Sequence, residues 1–195
     1  MDPGLMYVQK NVGNRLISSQ IRFRILESDF VATLSKTSLV YNGVVQNPDY
    51  IIVDANGDII APSNYTVTYA KGCKNVGKYT ATITFKGNYE GTISKTFTIN
   101  PKGTSLKSLT ASVKKMTVRW AKQTAQTTGY QLQYSTSAQF ANAKTIMVTK
   151  NTVTSKAVTK LAGKKKYCVR IRTYKKVAGK NYYSAWSKSK TVKTK

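Results

Sequence analysis

Residues 79–85 read Tyr-Thr-Ala-Thr-Ile-Thr-Phe, with an apolar or aromatic side chain at every odd position and threonine at every even one. Successive side chains of an extended chain point to opposite faces, so this run suits a strand with one buried face and fits no single side of a helix. The period recurs along the chain. Tyr65, Val67 and Tyr69 alternate with Thr66 and Thr68, and Ile93, Lys95, Phe97 and Ile99 continue the habit with one charged exception. Met116, Val118 and Trp120 alternate with Thr117 and Arg119; Tyr130, Leu132 and Tyr134 with Gln131 and Gln133; Tyr167, Val169 and Ile171 with Cys168, Arg170 and Arg172. Asn42-Gly43, Asn56-Gly57, Gly72, Gly77 and Gly87-Asn88 stand between runs as turn formers that tolerate positive φ. No stripe of helical period with caps accompanies them. Short strands at roughly ten-residue spacing predict an all-β chain built from antiparallel sandwiches.

Asn100-Pro101-Lys102-Gly103 interrupts the pattern, because proline cannot continue a ladder and glycine offers no side chain to pack. The spacing therefore predicts two small domains, residues 33–100 and 104–195, joined by a short linker at 101–103. Residues 1–32 are read as an N-terminal extension of unclear structure, in which Ile21, Phe23 and Ile25 alternate with Arg22 and Arg24 as one strand. No apolar run approaches the ~20 residues that a membrane helix needs. The N-terminus lacks the features of a secretory signal, so export would depend on a targeting segment outside these residues.

Charge is split unevenly. After Glu90 the chain contains no Asp, Glu or His, yet Gly91–Lys195 holds 23 of its 32 Lys and Arg residues. The first 90 residues carry the other 9 together with all 7 acids, so the halves bear +2 and +23. General acid–base catalysis needs a group that changes protonation near the working pH, hard cations need carboxylate oxygens, and zinc needs several Cys or His ligands. The rear domain offers none of these, and the chain is expected to be no enzyme and to carry no cofactor or metal. A field of this sign attracts polyanions of every class. The excess of lysine over arginine suits a solvated face better than base-edge readout, so specific nucleic-acid recognition is not expected.

Several motifs carry a resemblance. Residues 104–195 closely resemble a fibronectin type III module of the lysine-rich kind found in tandem on surface proteins of Gram-positive bacteria. The marks are Met116-Thr-Val-Arg-Trp120, Gly129-Tyr-Gln-Leu-Gln-Tyr134, Leu161 six residues before Tyr167, and Tyr183-Ser-Ala-Trp-Ser187. In that family the pair Leu161 and Tyr167 looks like the tyrosine corner, whose phenol hydroxyl caps backbone at the turn before the strand. Residues 33–100 are similar to the short bacterial Ig-like modules that precede such domains, through Tyr41-Asn-Gly43, Asn64-Tyr-Thr-Val-Thr-Tyr69, Asn75-Val-Gly77 and Gly87-Asn-Tyr-Glu-Gly-Thr92 leading into Lys95-Thr-Phe-Thr-Ile99. The resemblance implies a spacer, an adhesive element or an accessory beside a catalytic domain, outside the cell or on its surface.

Candidate residues follow. Trp120, Leu161, Tyr167 and Trp186 are expected to be structural. Trp186 is expected to stack on Arg170 and Arg172, because the last and sixth strands are neighbours in the resembled fold. The same face, with Tyr174, Tyr182 and Tyr183, is the candidate ligand or polyanion surface, and Lys164, Lys165 and Lys166 join it as a basic run. That run lacks the glycine spacing of a phosphate loop and is read as a solvated turn. Asp54-Ala-Asn-Gly-Asp58 has the flavour of a calcium loop without its distal ligands and is read as a hairpin turn. Cys73 and Cys168 are read as two separate thiols rather than a bridge, with Cys168 facing outward beside the arginines. An internal Lys–Asn crosslink is excluded in the rear domain, which lacks the carboxylic acid it requires. The leading expectation is a non-catalytic spacer or adhesive segment of a larger bacterial extracellular protein. Its partners would be an anionic cell-wall polymer, a glycan or a host surface protein. The alternatives are a dedicated polyanion- or glycan-binding module and an accessory domain of a secreted hydrolase.

Overall fold

The computed structural model describes residues 5–12, 15–22, 25–26 and 29–195. Among them the chain is all-β, with a 3₁₀ turn at Pro62–Asn64 and no α-helix. It divides into two compact units. One comprises residues up to Thr37 with Asn47–Lys71 and Tyr79–Phe97; the other comprises Ser38–Gln46, Gly72–Lys78 and Thr98–Lys195.

The first unit opens with a hairpin, β1 (Leu5–Val12) paired antiparallel with β2 (Arg15–Arg22). The strand expected through Ile21, Phe23 and Ile25 falls partly outside the described residues, which leave out Phe23 and Arg24. Around that gap, β2 ends at Arg22 and a two-residue strand, β3 (Ile25–Leu26), follows. Next comes β4 (Phe30–Leu34), whose burial alternates in step with its sequence: Phe30, Ala32 and Leu34 are buried, Val31 and Thr33 exposed. This strand crosses the expected boundary at residue 33. Its apolar set is short, and a boundary at 33 leaves Phe30 and Ala32 on the wrong side of it.

After β5 (Ser38–Val40), β6 (Tyr50–Asp54) pairs antiparallel with β4, and β7 (Tyr65–Tyr69) pairs with β8 (Gly77–Phe85). The last two strands of this half are β9 (Tyr89–Glu90) and β10 (Thr92–Asn100). The four-stranded sheet runs β5-β10-β8-β7. Two short pairings, β10 with β5 and β3 with β9, are parallel, a departure from antiparallel sheets throughout. The core of the first unit lies between the β4–β6 pair and β7–β8. Phe30 stacks on Phe85 with ring centroids 4.5 Å apart, and Ala32, Ile52, Ile60, Tyr65 and Ile83 fill the space around them.

The Asp54–Asp58 segment is a tight turn. Gly57 has φ +90°, and Asp54 Oδ1 accepts the backbone N–H groups of Asn56 and Asp58, both at 2.9 Å. The carboxylate thus organises its own loop, which is why an Asp stands there.

In the second unit, β11 (Leu106–Ser112), β12 (Lys115–Trp120) and β15 (Ser155–Val158) form one sheet in that order. The facing sheet runs β14 (Lys144–Val148), β13 (Gly129–Ser135), β16 (Lys166–Val177) and β17 (Lys180–Tyr183), with β18 (Lys190–Lys193) also paired to β16. Met116, Val118, Trp120 and Val158 meet Tyr130, Leu132, Tyr167, Val169 and Ile171 between the sheets. Burying a large apolar side chain contributes roughly 1.5–3 kcal/mol, so these residues, with Leu106, Val148 and Leu161 beside them, hold the sandwich closed. Lys102 O accepts Thr173 Oγ1 at 2.8 Å, which ties the Pro-Lys-Gly segment to the sandwich. The Gln126 side chain accepts the Val76 N–H and donates to Asn75, and so fastens the turn that holds them within the second unit.

Candidate functional site

The central strand of the rear sandwich positions the site. Odd residues of β16 point into the core, so Cys168, Arg170, Arg172 and Tyr174 share the outer face. Opposite them on β13 stand Ser135, Gln133, Gln131 and Gly129. Gln133 Oε1 accepts both Nε and Nη2 of Arg170, at 3.0 and 2.7 Å, and Gln131 Oε1 accepts Nε of Arg172 at 2.6 Å. These bonds hold each guanidinium flat against its cross-strand neighbour.

The segment Ser184–Ser187 places an indole on this face. Ser184 N–H donates to Thr173 O and Ser187 N–H to Ile171 O, at 3.1 and 2.8 Å. The serine hydroxyls complete the ladder in the other direction, Ser184 Oγ accepting Thr173 N–H and Ser187 Oγ accepting Ile171 N–H. With both serines fixed to the edge of β16, Trp186 lies over the arginines. The indole centroid is 4.4 Å from Arg170 Cζ and 4.2 Å from Arg172 Cζ. Residues two apart on one face of a strand are separated by ~7 Å, so the indole sits between the two guanidinium groups. Phe140 stacks on Arg170 at 4.1 Å and Tyr183 on Arg172 at 4.0 Å, giving the series Phe140, Arg170, Trp186, Arg172, Tyr183. Burial, reinforced by the nearby Arg170, pulls the Arg172 pKa below its ordinary value, against an opposing contribution from Tyr183. Arginine stays charged regardless.

The candidate surface residues do not form one patch. Tyr174 is buried and cannot face a ligand; Gly129 opposite it leaves the space its ring fills. Tyr182 and Tyr183 are half-buried, and Lys180 Nζ lies 5.7 Å from the Tyr182 ring. Lys166 opens β16, ~26 Å from Tyr174 along the strand, and Lys164 and Lys165 precede it in the turn. All three are exposed, and Lys166 lies directly across from Lys193.

Cys168 does not face solvent. It lies on the outer side of β16 as alternation requires, but that side is itself covered. Its cross-strand partner Ser135 is also buried and donates to Ala141 O at 2.7 Å, which closes the loop that carries Phe140 over this end of the face. No disulfide joins Cys73 and Cys168, both of which are buried.

The remaining structural candidates lie between and beside the sheets. Trp120 is almost fully buried, 5.4 Å from the Tyr130 ring, and its Nε1–H has no partner among the described residues. Tyr130 Oη accepts Gln123 N–H at 2.8 Å and reaches Asn151 O at 2.8 Å. Tyr167 Oη accepts Ala162 N–H at 3.0 Å, beside the buried Leu161. Gln131, Gln133 and Phe140 belong to the arginine stack although nothing in their sequence neighbourhood marks them. Only the alternation of Gln131 and Gln133 in their strand gives a signal, and it does so once the β13–β16 register is known.

No family model matches the chain, and no curated protein matches it. Solved structures similar to parts of it include the fn3 domain of human collagen alpha-1(XX) chain, 20% identical over 48% of this chain and 84% of that one, with a TM-score of 0.40. A two-domain fibronectin type III segment of chicken tenascin is 17% identical over 76% of this chain and 78% of that one, with a TM-score of 0.42. A β-1,2-glucanase from Parabacteroides distasonis is 12% identical over 60% of this chain and 17% of that one, with a TM-score of 0.40. The fibronectin type III-like character of the second sandwich rests on its own strand order, β11-β12-β15 facing β14-β13-β16-β18, and on the bond from Ala162 N–H to Tyr167.

Proposed function

We propose that this chain is a non-catalytic pair of β-sandwich modules from a bacterial cell-surface protein, serving as a spacer or adhesive segment that is drawn to anionic wall polymers. One observation carries the reading: cations in the rear sandwich are partitioned. Arg170 and Arg172 are held by glutamine and aromatic side chains, whereas every lysine beyond Thr104 except Lys175 is exposed. A scaffold with two of its three guanidinium groups engaged and its ammonium groups spread over the outside offers diffuse attraction. Diffuse attraction suits a stalk that lies against a phosphate-bearing wall or a host surface protein of opposite charge.

A second reading, a dedicated polyanion-binding face, is favoured by the Lys164–Lys166 run. Like charges directly opposite one another across strands destabilise a sheet, and Lys166 opposes Lys193. A bound polyanion relieves that repulsion.

Binding of the purified chain to a phosphate-bearing wall polymer, to polyglucuronate and to a neutral glycan, measured across a salt series, separates the two. Equal, steeply salt-dependent binding to both polyanions supports the spacer reading. Affinity for one polymer that survives high salt supports the dedicated face, and binding to neither removes the adhesive role.

A further inference from the structure

We propose that the cavity between the Ser135–Asn142 loop and the Lys160–Leu161 turn is a binding site for a sugar ring that carries a carboxylate or a phosphate. The cavity has a volume of about 290 Å³, and its lining includes Tyr134, Ser137, Asn142, Lys144, Lys160 and Tyr167. Small-ligand pockets begin at ~300 Å³, so there is room for one ring and little more.

Its chemistry is mixed in a particular way. Tyr134 and Tyr167 form an aromatic wall, their rings edge-to-face with centroids 6.2 Å apart. Tyr167 Oη accepts Ala162 N–H, which leaves the hydroxyl's own proton to donate. Burial, with Tyr167 alongside, raises the Tyr134 pKa, so its phenol is a neutral donor at physiological pH. Hydroxyl and amide groups from Thr136, Ser137 and Asn142 stand on the loop side. Two ammonium groups complete the rim. Lys144 is the cross-strand partner of Tyr134 and therefore projects from the same face of the sheet, while Lys160 approaches from the facing turn. No Asp or Glu exists anywhere in residues 91–195 to neutralise them.

The backbone beside the cavity turns through left-handed conformations. Phe140, Asn142 and Lys160 have φ of +61°, +50° and +59°. A bulky residue such as Phe140 seldom occupies this region, whereas Asn142 tolerates it. A wholly apolar ligand would desolvate the ammonium groups without answering their charge. A bare inorganic anion would leave the tyrosine rings unused, and a neutral sugar would leave both lysines unpaired. An anionic sugar satisfies all three sets of groups. The inference deepens the adhesive reading and rests on it for the class of glycan that the chain meets.

The test is backbone-amide NMR of the full chain, titrated separately with glucuronic acid, glucose 6-phosphate, glucose and inorganic phosphate. Saturable shifts confined to Ser135–Asn142, Lys144 and Lys160–Leu161 with either anionic sugar, and weaker with glucose or phosphate, support the site. Each of Lys144→Gln and Lys160→Gln, both at exposed positions, is expected to weaken binding about tenfold with the melting temperature unchanged. An absence of saturable shifts with both anionic sugars, or an equal response to inorganic phosphate, overturns the site. Polymer binding separates this from the adhesive role. A chain that ignores both sugars yet still binds polyglucuronate overturns the pocket alone. A chain whose pocket titrates normally but which binds no polymer supports the pocket and overturns the adhesive reading alone.

Discussion

Gly129 is the cross-strand partner of Tyr174, and the absence of its side chain is what lets that ring lie buried on the outer face of β16. A Cβ at this position would collide with the Val148 carbonyl oxygen and come within 3.0 Å of the Tyr174 ring. Gly129→Ala is therefore expected to destabilise the rear sandwich by about 1–3 kcal/mol, because a packed strand pair must part to admit the methyl group. Equilibrium urea unfolding measures it, and an unchanged midpoint refutes the packing account.

The indole of Trp186 touches both guanidinium groups, so Trp186→Ala removes two stacking contacts at once. Each is worth ~0.5–1 kcal/mol, and the expected loss is about 1–2 kcal/mol, or roughly 4–8 °C in melting temperature per kcal/mol. Trp186→Phe should recover part of it. If the alanine variant melts with the parent chain, the stack contributes nothing to stability.

Tyr167→Phe keeps the ring and deletes the acceptor of Ala162 N–H. Leaving a partly buried amide without its partner costs about 1–3 kcal/mol. Faster hydrogen exchange at the Ala162 amide would locate the effect, and unchanged exchange there would show that the hydroxyl does not hold the turn.

Burial raises the Cys73 thiol pKa, outweighing a backbone hydrogen bond that lowers it. The folded chain therefore holds the protonated thiol more tightly than the unfolded chain does. That contribution is fully present below the ordinary thiol pKa and is lost as pH climbs through the raised folded value. Stability should decline in mildly alkaline solution before the tyrosines titrate, and Cys73→Ala should flatten this decline. An identical pH profile for parent and variant would count against it. Alkylation of native protein at Cys73 should also be slow until it unfolds.

Much of the fold was legible because threonine and lysine mark one face of each strand while Tyr, Val, Ile and Trp mark the other. The stacking of Trp186 on the arginines followed from strand adjacency in the resembled fold. Other features depend on pairing partners that no local pattern reveals. Gln131 and Gln133 become guanidinium acceptors only in the β13–β16 register. Phe140 reaches Arg170 from a loop residue with positive φ, a conformation its type gives no reason to expect. Alternation put Cys168 and Tyr174 on the correct side of β16, but that side carries a second covering of loop and aromatic side chains, so outward does not mean exposed. The cavity beneath Lys160 left no trace in the sequence, since its walls come from four separate stretches of chain.

Two of the three arginines after Gly91 serve the scaffold, and the lysines beyond Thr104, Lys175 apart, ride on its outside. Reagents or enzymes that acylate primary amines would consequently strip the surface of its charge while leaving the stacked guanidinium groups untouched. Surface charge and folding are chemically separable in this molecule, so one can drift by amine loss or gain while the other stays fixed.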